Sequence, residues 1–184
     1  MTATLDQART AVLLIDYQEL LFNAMPESVR DQNLRQATTL LHGARVMDLN
    51  VIVTEQYPGG LGPTLGPLRG AYEAMTPYPK LDFSAAEVDE VVQDLEAAQS
   101  TDVLIAGMET HICVLQTVMQ LQARGLKCHI MTDAVISRRT MDWKRGLELC
   151  QAAGADLSTV EIALFRLLGT ADADHFKAIS RLIR

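Results

Sequence analysis

Apolar positions recur along this chain in two alternating rhythms. Short apolar-rich runs at residues 11–15, 51–54, 102–106 and 127–132 predict strands, the first of them buried on both faces. Between them lie stretches with helical spacing. In 31–47, Leu34, Ala37, Leu41 and Ala44 share one face, and Asn50 is a plausible stop. Ser84-Ala-Ala-Glu87 reads as a capping box ahead of the stripe Val88, Val91, Val92 and Leu95. Residues 113–124 and 141–153 predict helices closed by Gly125 and Gly154. A short strand near 157–160 leads into a helix over 161–168, and a last helix carries Phe176, Ile179, Leu182 and Ile183. One stretch follows neither rhythm: 57–79, a loop that holds all but one of the six prolines.

Strands alternating with helices predict a parallel sheet covered by helices on both faces, with right-handed crossovers. Ligands of such sheets bind outside the carboxyl ends of the strands. That rule selects Asp16, the stretch Glu55 to Tyr57, the stretch Gly107 to Cys113, and Asp133.

Composition bounds the reading. With 184 residues, 48% hydrophobic and 21% charged, the chain has the make-up of a single globular domain spanning 1–184. No apolar run approaches the roughly 20 residues of a membrane span, and no signal-like leader is recognisable. Sixteen basic against 23 acidic residues give a net charge of −7, without the basic footprint of a nucleic-acid binder. Three cysteines without a CxxC pair argue for free thiols in a reducing, cytoplasmic setting and against a thiolate metal site. Four scattered histidines give no metal signature.

Chemistry concentrates in few places. Asp16 directly follows an apolar run; a phosphoryl-transfer site would want a second acid two positions on, where Gln18 stands. Gly59-Gly-Leu-Gly62 leads into Pro63 rather than a helix, so it is no dinucleotide fingerprint. Cys113 lies where the strand ending near Ala106 passes into a helix. Thr110 could cap that helix, and a first-turn position would favour the thiolate and supply N–H groups to an oxyanion. Cys128, in a strand, and Cys150, on a helix, read as packing. Lys80 stands after the proline-rich loop, where it could serve a thiolate and a carboxylate or simply face solvent. His111, two residues from Cys113, is a rival base, but sequence neighbours rarely face each other correctly.

Five segments together carry a resemblance: Leu14-Ile-Asp-Tyr-Gln18, Thr54-Glu-Gln-Tyr-Pro-Gly-Gly-Leu-Gly62, Lys80-Leu-Asp-Phe-Ser84, Gly107-Met-Glu-Thr-His-Ile-Cys-Val114 and Asp133-Ala-Val-Ile-Ser-Arg138. In this order, from Thr10 to about Leu182, the chain resembles the isochorismatase-like cysteine hydrolases, most of all the isochorismatase domain-containing proteins. The resemblance implies a three-layer α/β/α sandwich, Rossmann-like, with a six-stranded parallel sheet. It implies a triad of Asp16 as general base, Lys80 as its charged partner and Cys113 as nucleophile. It also implies a cis peptide between Met108 and Glu109, with the backbone N–H groups of Glu109 and Cys113 as oxyanion donors. The expected reaction is hydrolysis of a small amide, imide or related C–N substrate through a Cys113 thioester, with no cofactor.

Metal-binding nicotinamidases of that superfamily carry an acid and histidines after the second strand. Here the stretch is Glu55-Gln-Tyr-Pro-Gly, which argues against both a metal and nicotinamide. Candidate pocket residues are Gln18, Phe22, Tyr57, Thr110 and His111, a set suited to a weakly charged small molecule. The expected partners are that substrate and further copies of the chain, a dimer or larger. The C-terminal helix and residues 138–143 are the interface candidates, and neither nucleic acid nor membrane is expected. Two other classes stay open: a binding or scaffold protein that keeps the fold without turnover, and a thiol-based redox protein resolving Cys113 with Cys128 or Cys150.

Overall fold

The computed structural model describes residues 4–184; the first three residues of the expected 1–184 domain lie outside the described residues. Six strands, β1 (Thr10–Ile15), β2 (Asn50–Gln56), β3 (Tyr78–Lys80), β4 (Asp102–Met108), β5 (Lys127–Ile136) and β6 (Asp156–Ser158), form one sheet in the order β3-β2-β1-β4-β5-β6. Every neighbouring pair is parallel. The chain winds outward from β1 in one direction and from β4 in the other. The switch in winding lies between β1 and β4, where sheets of this kind open a crevice for ligands.

Alternate residues of the central strands point to opposite sides, so each strand feeds two cores. Val12, Leu14, Leu104 and Ala106 pack beneath α2 (Glu27–Val46), α8 (Val160–Leu168) and α9 (Phe176–Leu182). Ala11, Leu13, Ile15, Val103 and Ile105 pack beneath α5 (Asp89–Ala97), α6 (Leu115–Ala123) and α7 (Thr140–Ala152). The result is a three-layer α/β/α sandwich, as expected from the run of buried strands. Among the described residues, no helix is long and apolar enough to cross a membrane.

The structure corrects several local expectations. The stretch 57–79 is not structureless: it holds α3 (Pro58–Leu61) and α4 (Gly66–Ala71), then enters the edge strand β3. Its anchor is Glu55, buried near the end of β2. Glu55 Oε1 accepts from the N–H and hydroxyl of Thr64, both at 2.7 Å, and from Arg69 Nη2 at 3.3 Å. The short helix α1 (Glu19–Asn23) after Gln18 has no counterpart in the apolar pattern.

Ser84 does not cap α5. Its hydroxyl accepts from Ala86 N–H within a 3₁₀ turn, and Glu87 reaches across to Gln120 at 2.5 Å rather than back to Ser84. Strand β5 runs on to Ile136 through a register irregularity, so Asp133 does not stand at a carboxyl end. Its carboxylate instead accepts the Val160 N–H at 3.0 Å, capping α8 together with Thr159.

Candidate active site

The segment after β4 is the one the sequence marked as strand-to-helix, but the turn is not the first turn of an α-helix. Thr110–Val114 forms a π turn, and α6 starts only at Leu115. The carbonyl of Glu109 accepts from Ile112 N–H at 3.0 Å and Val114 N–H at 3.2 Å. The Met108–Glu109 peptide is cis, as the family resemblance implied. Thr110 is no cap: Glu109 holds that position, and the Thr110 hydroxyl is buried without a hydrogen-bond partner.

Register then brings three distant residues together. Ile15 of β1 pairs with Thr54 of β2 on one side and with Gly107 of β4 on the other. At Gly107, with φ +148°, an added Cβ would lie 2.4 Å from the Ile15 carbonyl, so only glycine lets β4 pass this close. Beyond Ile15 the chain turns through a left-handed Asp16 (φ 54°), an aspartate being among the side chains that tolerate it. Asp16 N–H donates to Thr54 O at 3.1 Å, and Thr54 Oγ1 donates to Asp16 Oδ1 at 2.7 Å.

Pairing of Gln56 with Lys80 sets β3 so that Lys80 Nζ stands 2.7 Å from Asp16 Oδ2. The ammonium also donates to Gln56 Oε1 at 2.6 Å and to the carbonyls of Asp82 and Phe83 at 3.2 and 3.0 Å. The Cys113 thiol completes the group, lying where the Asp16 carboxylate, the Lys80 ammonium and the Glu109 backbone all act on it. Asp16, Lys80 and Cys113 are all buried.

This burial reverses the expected state of the sulfur. Loss of water and the nearby Asp16 charge push the Cys113 thiol up to about 12, against the smaller downward pull of Lys80 and the Glu109 N–H. The resting thiol is therefore neutral at physiological pH. The Asp16 carboxyl is itself raised by burial, which outweighs the opposing ion pair with Lys80 and the hydrogen bonds from Lys80, Thr54 and Cys113. A buried carboxylate against a neutral thiol can accept a proton as the sulfur attacks; a preformed thiolate is not the resting arrangement.

The other candidates divide. Gln18 is wholly buried, donating to Gln56 O (3.0 Å) and Gly62 O (2.7 Å) and accepting from Gln56 N–H (2.7 Å). It is a bracket between β2 and α3, with its amide already engaged, rather than a ligand-facing group. Phe22 belongs to the core beneath α2, with the Arg30 guanidinium 5.7 Å from its ring centre. Tyr57 is exposed at a left-handed position (φ 37°). His111 is partly exposed, with Nδ1 at 3.0 Å from Ser137 Oγ and Nε2 at 4.0 Å from Asp142. It does not figure among the groups acting on the thiol, which are Asp16, Lys80 and Glu109.

Sequence reasoning gave no role to Thr54 or to the side chain of Glu109, and it selected the stretch holding Gln56 without assigning that side chain. Thr54 closed a recognised strand, but only the pairing of β2 with β1 places it on Asp16. Among the described residues, no three His, Cys, Asp or Glu groups converge as metal ligands.

Residues 10–162 match the isochorismatase domain family. Isochorismatase domain-containing protein 2 of Bos taurus is 41% identical over 154 residues, covering 83% of this chain and 74% of that protein. Among solved structures, the MAR1 ribonuclease from Caenorhabditis elegans superposes with a TM-score of 0.92 at 32% identity, over 98% of this chain and 92% of that one. The YcaC protein of Escherichia coli, an octameric hydrolase of unknown specificity, superposes with a TM-score of 0.92 at 22% identity, over 100% of this chain and 90% of that one, a likeness of fold alone. With its family match over most of the chain and its all-parallel sheet, the chain belongs to the isochorismatase domain family.

Proposed function

We propose that this chain is a cysteine hydrolase acting on a small, uncharged amide, imide or related C–N substrate. The observation that carries the reading is the buried Asp16 carboxylate held between the Lys80 ammonium and the Cys113 thiol. Lys80 keeps a counter-charge on Asp16 where burial alone would favour the neutral acid. Asp16 takes the thiol proton as Cys113 Sγ bonds to the substrate carbonyl carbon. The carbonyl π electrons move to oxygen, opposite the backbone N–H groups of Glu109 and Cys113. Collapse re-forms the carbonyl and breaks the C–N bond, and the departing nitrogen takes the proton from Asp16. Water then attacks the thioester while Asp16 accepts its proton; collapse releases the acid, and that proton returns to the sulfur.

The saturation of Lys80 by Asp16, Gln56, Asp82 and Phe83 supports an uncharged substrate, since no donor remains for a substrate carboxylate. The redox reading gains no support: all three cysteines are free and buried, and the sulfur felt by Cys128 is that of Cys150. A second reading follows from the likeness to a protein named a ribonuclease. The net charge of −7 weighs against it, because RNA binding rests on neutralising phosphates.

The test needs no known substrate. Acrylamide, a neutral amide electrophile, alkylates a thiol by forming an S–C bond at its β carbon, while the thiol proton ends on the α carbon. Peptide mass spectrometry follows each cysteine from pH 5 to 9. Cys113 is expected to react selectively, and both Asp16→Asn and Lys80→Ala to slow it at least tenfold. Equal labelling of Cys113 in parent and variants removes the hydrolase reading. Cleavage of a single-stranded RNA by the parent, abolished by Asp16→Asn, replaces it with the nuclease one.

A further inference from the structure

One charged side chain in the nucleophile turn has no part in the mechanism above. The Glu109 carboxylate is buried, and all its partners lie on the segment between β5 and α7. The Arg138 backbone N–H donates to Oε2 at 2.9 Å, and Arg138 Nε donates to Oε1 and Oε2 at 3.1 and 3.0 Å. The Arg138 side chain is 56% exposed, whereas that of Glu109 is 4% exposed. Solvent screening weakens the ion pair, so the backbone bond, joined by the Nε–H shared between the two oxygens, matters more than the charge.

Glu109 is therefore tied in through two groups at once. Its carbonyl closes the π turn that carries Cys113 through Ile112 and Val114, and its carboxylate grips Arg138. The same segment touches the turn once more, Ser137 Oγ meeting His111 Nδ1 at 3.0 Å, and the helix that follows, α7, presses on the turn at Gly146, where an added Cβ would lie 2.9 Å from His111 N.

We infer that the Glu109 side chain, braced on Arg138, is a positioning residue that fixes the turn carrying Cys113 and so aims its own backbone N–H at the oxyanion. The inference rests on Cys113 being the nucleophile proposed above. Its specific content is that the brace sets the attack rate, while Asp16 sets the pH dependence.

Acrylamide alkylation of Cys113 separates these roles. Glu109→Ala is expected to lower the rate at least tenfold at every pH without moving the midpoint of the profile. Glu109→Gln keeps one acceptor oxygen, which at the Oε2 position can receive both the Arg138 backbone N–H and Nε, and should recover to within about threefold of the parent. Arg138→Ala, which leaves the turn sequence intact and retains the backbone bond, should fall between them. Cys128 and Cys150, both buried, report on the fold and should stay protected throughout. Parent-rate alkylation in both Glu109→Ala and Arg138→Ala, with Asp16→Asn still slow, overturns the inference and leaves the triad reading standing. If Asp16→Asn is also without effect, the functional reading itself has failed. A drop at Cys113 accompanied by labelling of Cys128 and Cys150 would mean general loosening and would likewise overturn it. Should Glu109→Ala fail to fold, the Arg138→Ala rate decides alone.

Discussion

At the scale of single residues, the site is governed by the competition between burial and charge. In the proposed mechanism Asp16 must be ionised to accept a proton, and its carboxyl is raised by desolvation. Reactivity of Cys113 is therefore expected to fall as pH drops through that raised value. It does not level off from thiol ionisation on the alkaline side below about 12, where the sulfur itself titrates. Thr54 is placed to set the acid limb of that proposed profile. Its hydroxyl bonds the charged form of Asp16 at 2.7 Å, and a bond to a charged group contributes roughly 1.5–3 kcal/mol. Thr54→Val is expected to move the acid limb upward by about one pH unit, since one pKa unit corresponds to about 1.4 kcal/mol. An unshifted alkylation profile would show that Thr54 does not tune the base.

The same proton has a stability consequence. The folded chain holds it on Asp16 to higher pH than the unfolded chain does. Between the two values the native state binds more protons, so this group's contribution to stability declines as pH rises through that window.

Among elements, the decisive contacts are those that aim the turn carrying Cys113. Helix α7 meets the turn backbone at Gly146 with no room for a methyl group: an added Cβ would also stand 3.0 Å from His111 Cα and from the Thr110 carbonyl carbon. Gly146→Ala is expected to cost about 1–3 kcal/mol, as overpacking does, and to slow Cys113 alkylation because the strain falls on backbone that carries the sulfur. Chemical denaturation gives the first quantity and peptide mass spectrometry the second. An unaltered alkylation rate would place the relaxation in α7 instead.

Glu55 is the counterpart at the edge of the sheet. Its carboxylate gathers Thr64 and Arg69, and so fastens the stretch holding α3 and α4 to β2. Glu55→Ala should open that stretch to limited proteolysis between residues 57 and 76 while β1 and β4 stay protected.

For the whole molecule, the two ends of the sheet do different work. The carboxyl end carries the candidate site. At the amino end of β4, β5 and β6, the buried His129 sits between Asp102 at 2.8 Å and Asp156 at 3.1 Å, with Arg166 on Asp156 at 2.9 Å, beside a cavity of about 670 Å³. His129→Ala would leave two carboxylates facing a void. It is expected to destabilise the fold by about 3 kcal/mol without changing Cys113 alkylation per folded molecule. A matching loss of alkylation would mean that the two ends are coupled.

Much of this molecule is determined locally and is legible in the chain itself. Unbroken apolar runs can be satisfied only as strands covered on both faces, which dictates the parallel sheet and its two helical layers. The rule that ligands sit beyond carboxyl ends then singles out Asp16 and the Cys113 turn, while Lys80 enters through the family resemblance. What local pattern cannot carry is the meeting of residues far apart in the chain. Strand register alone sets Thr54 on Asp16 and Gln56 on Lys80, and a three-residue edge strand within proline-rich sequence has no periodicity to announce it. The state of the sulfur is decided in the same way. From spacing alone Cys113 belongs to a helix N-terminus that favours thiolate. Burial against a carboxylate, which only the folded chain creates, keeps it a neutral thiol waiting on Asp16.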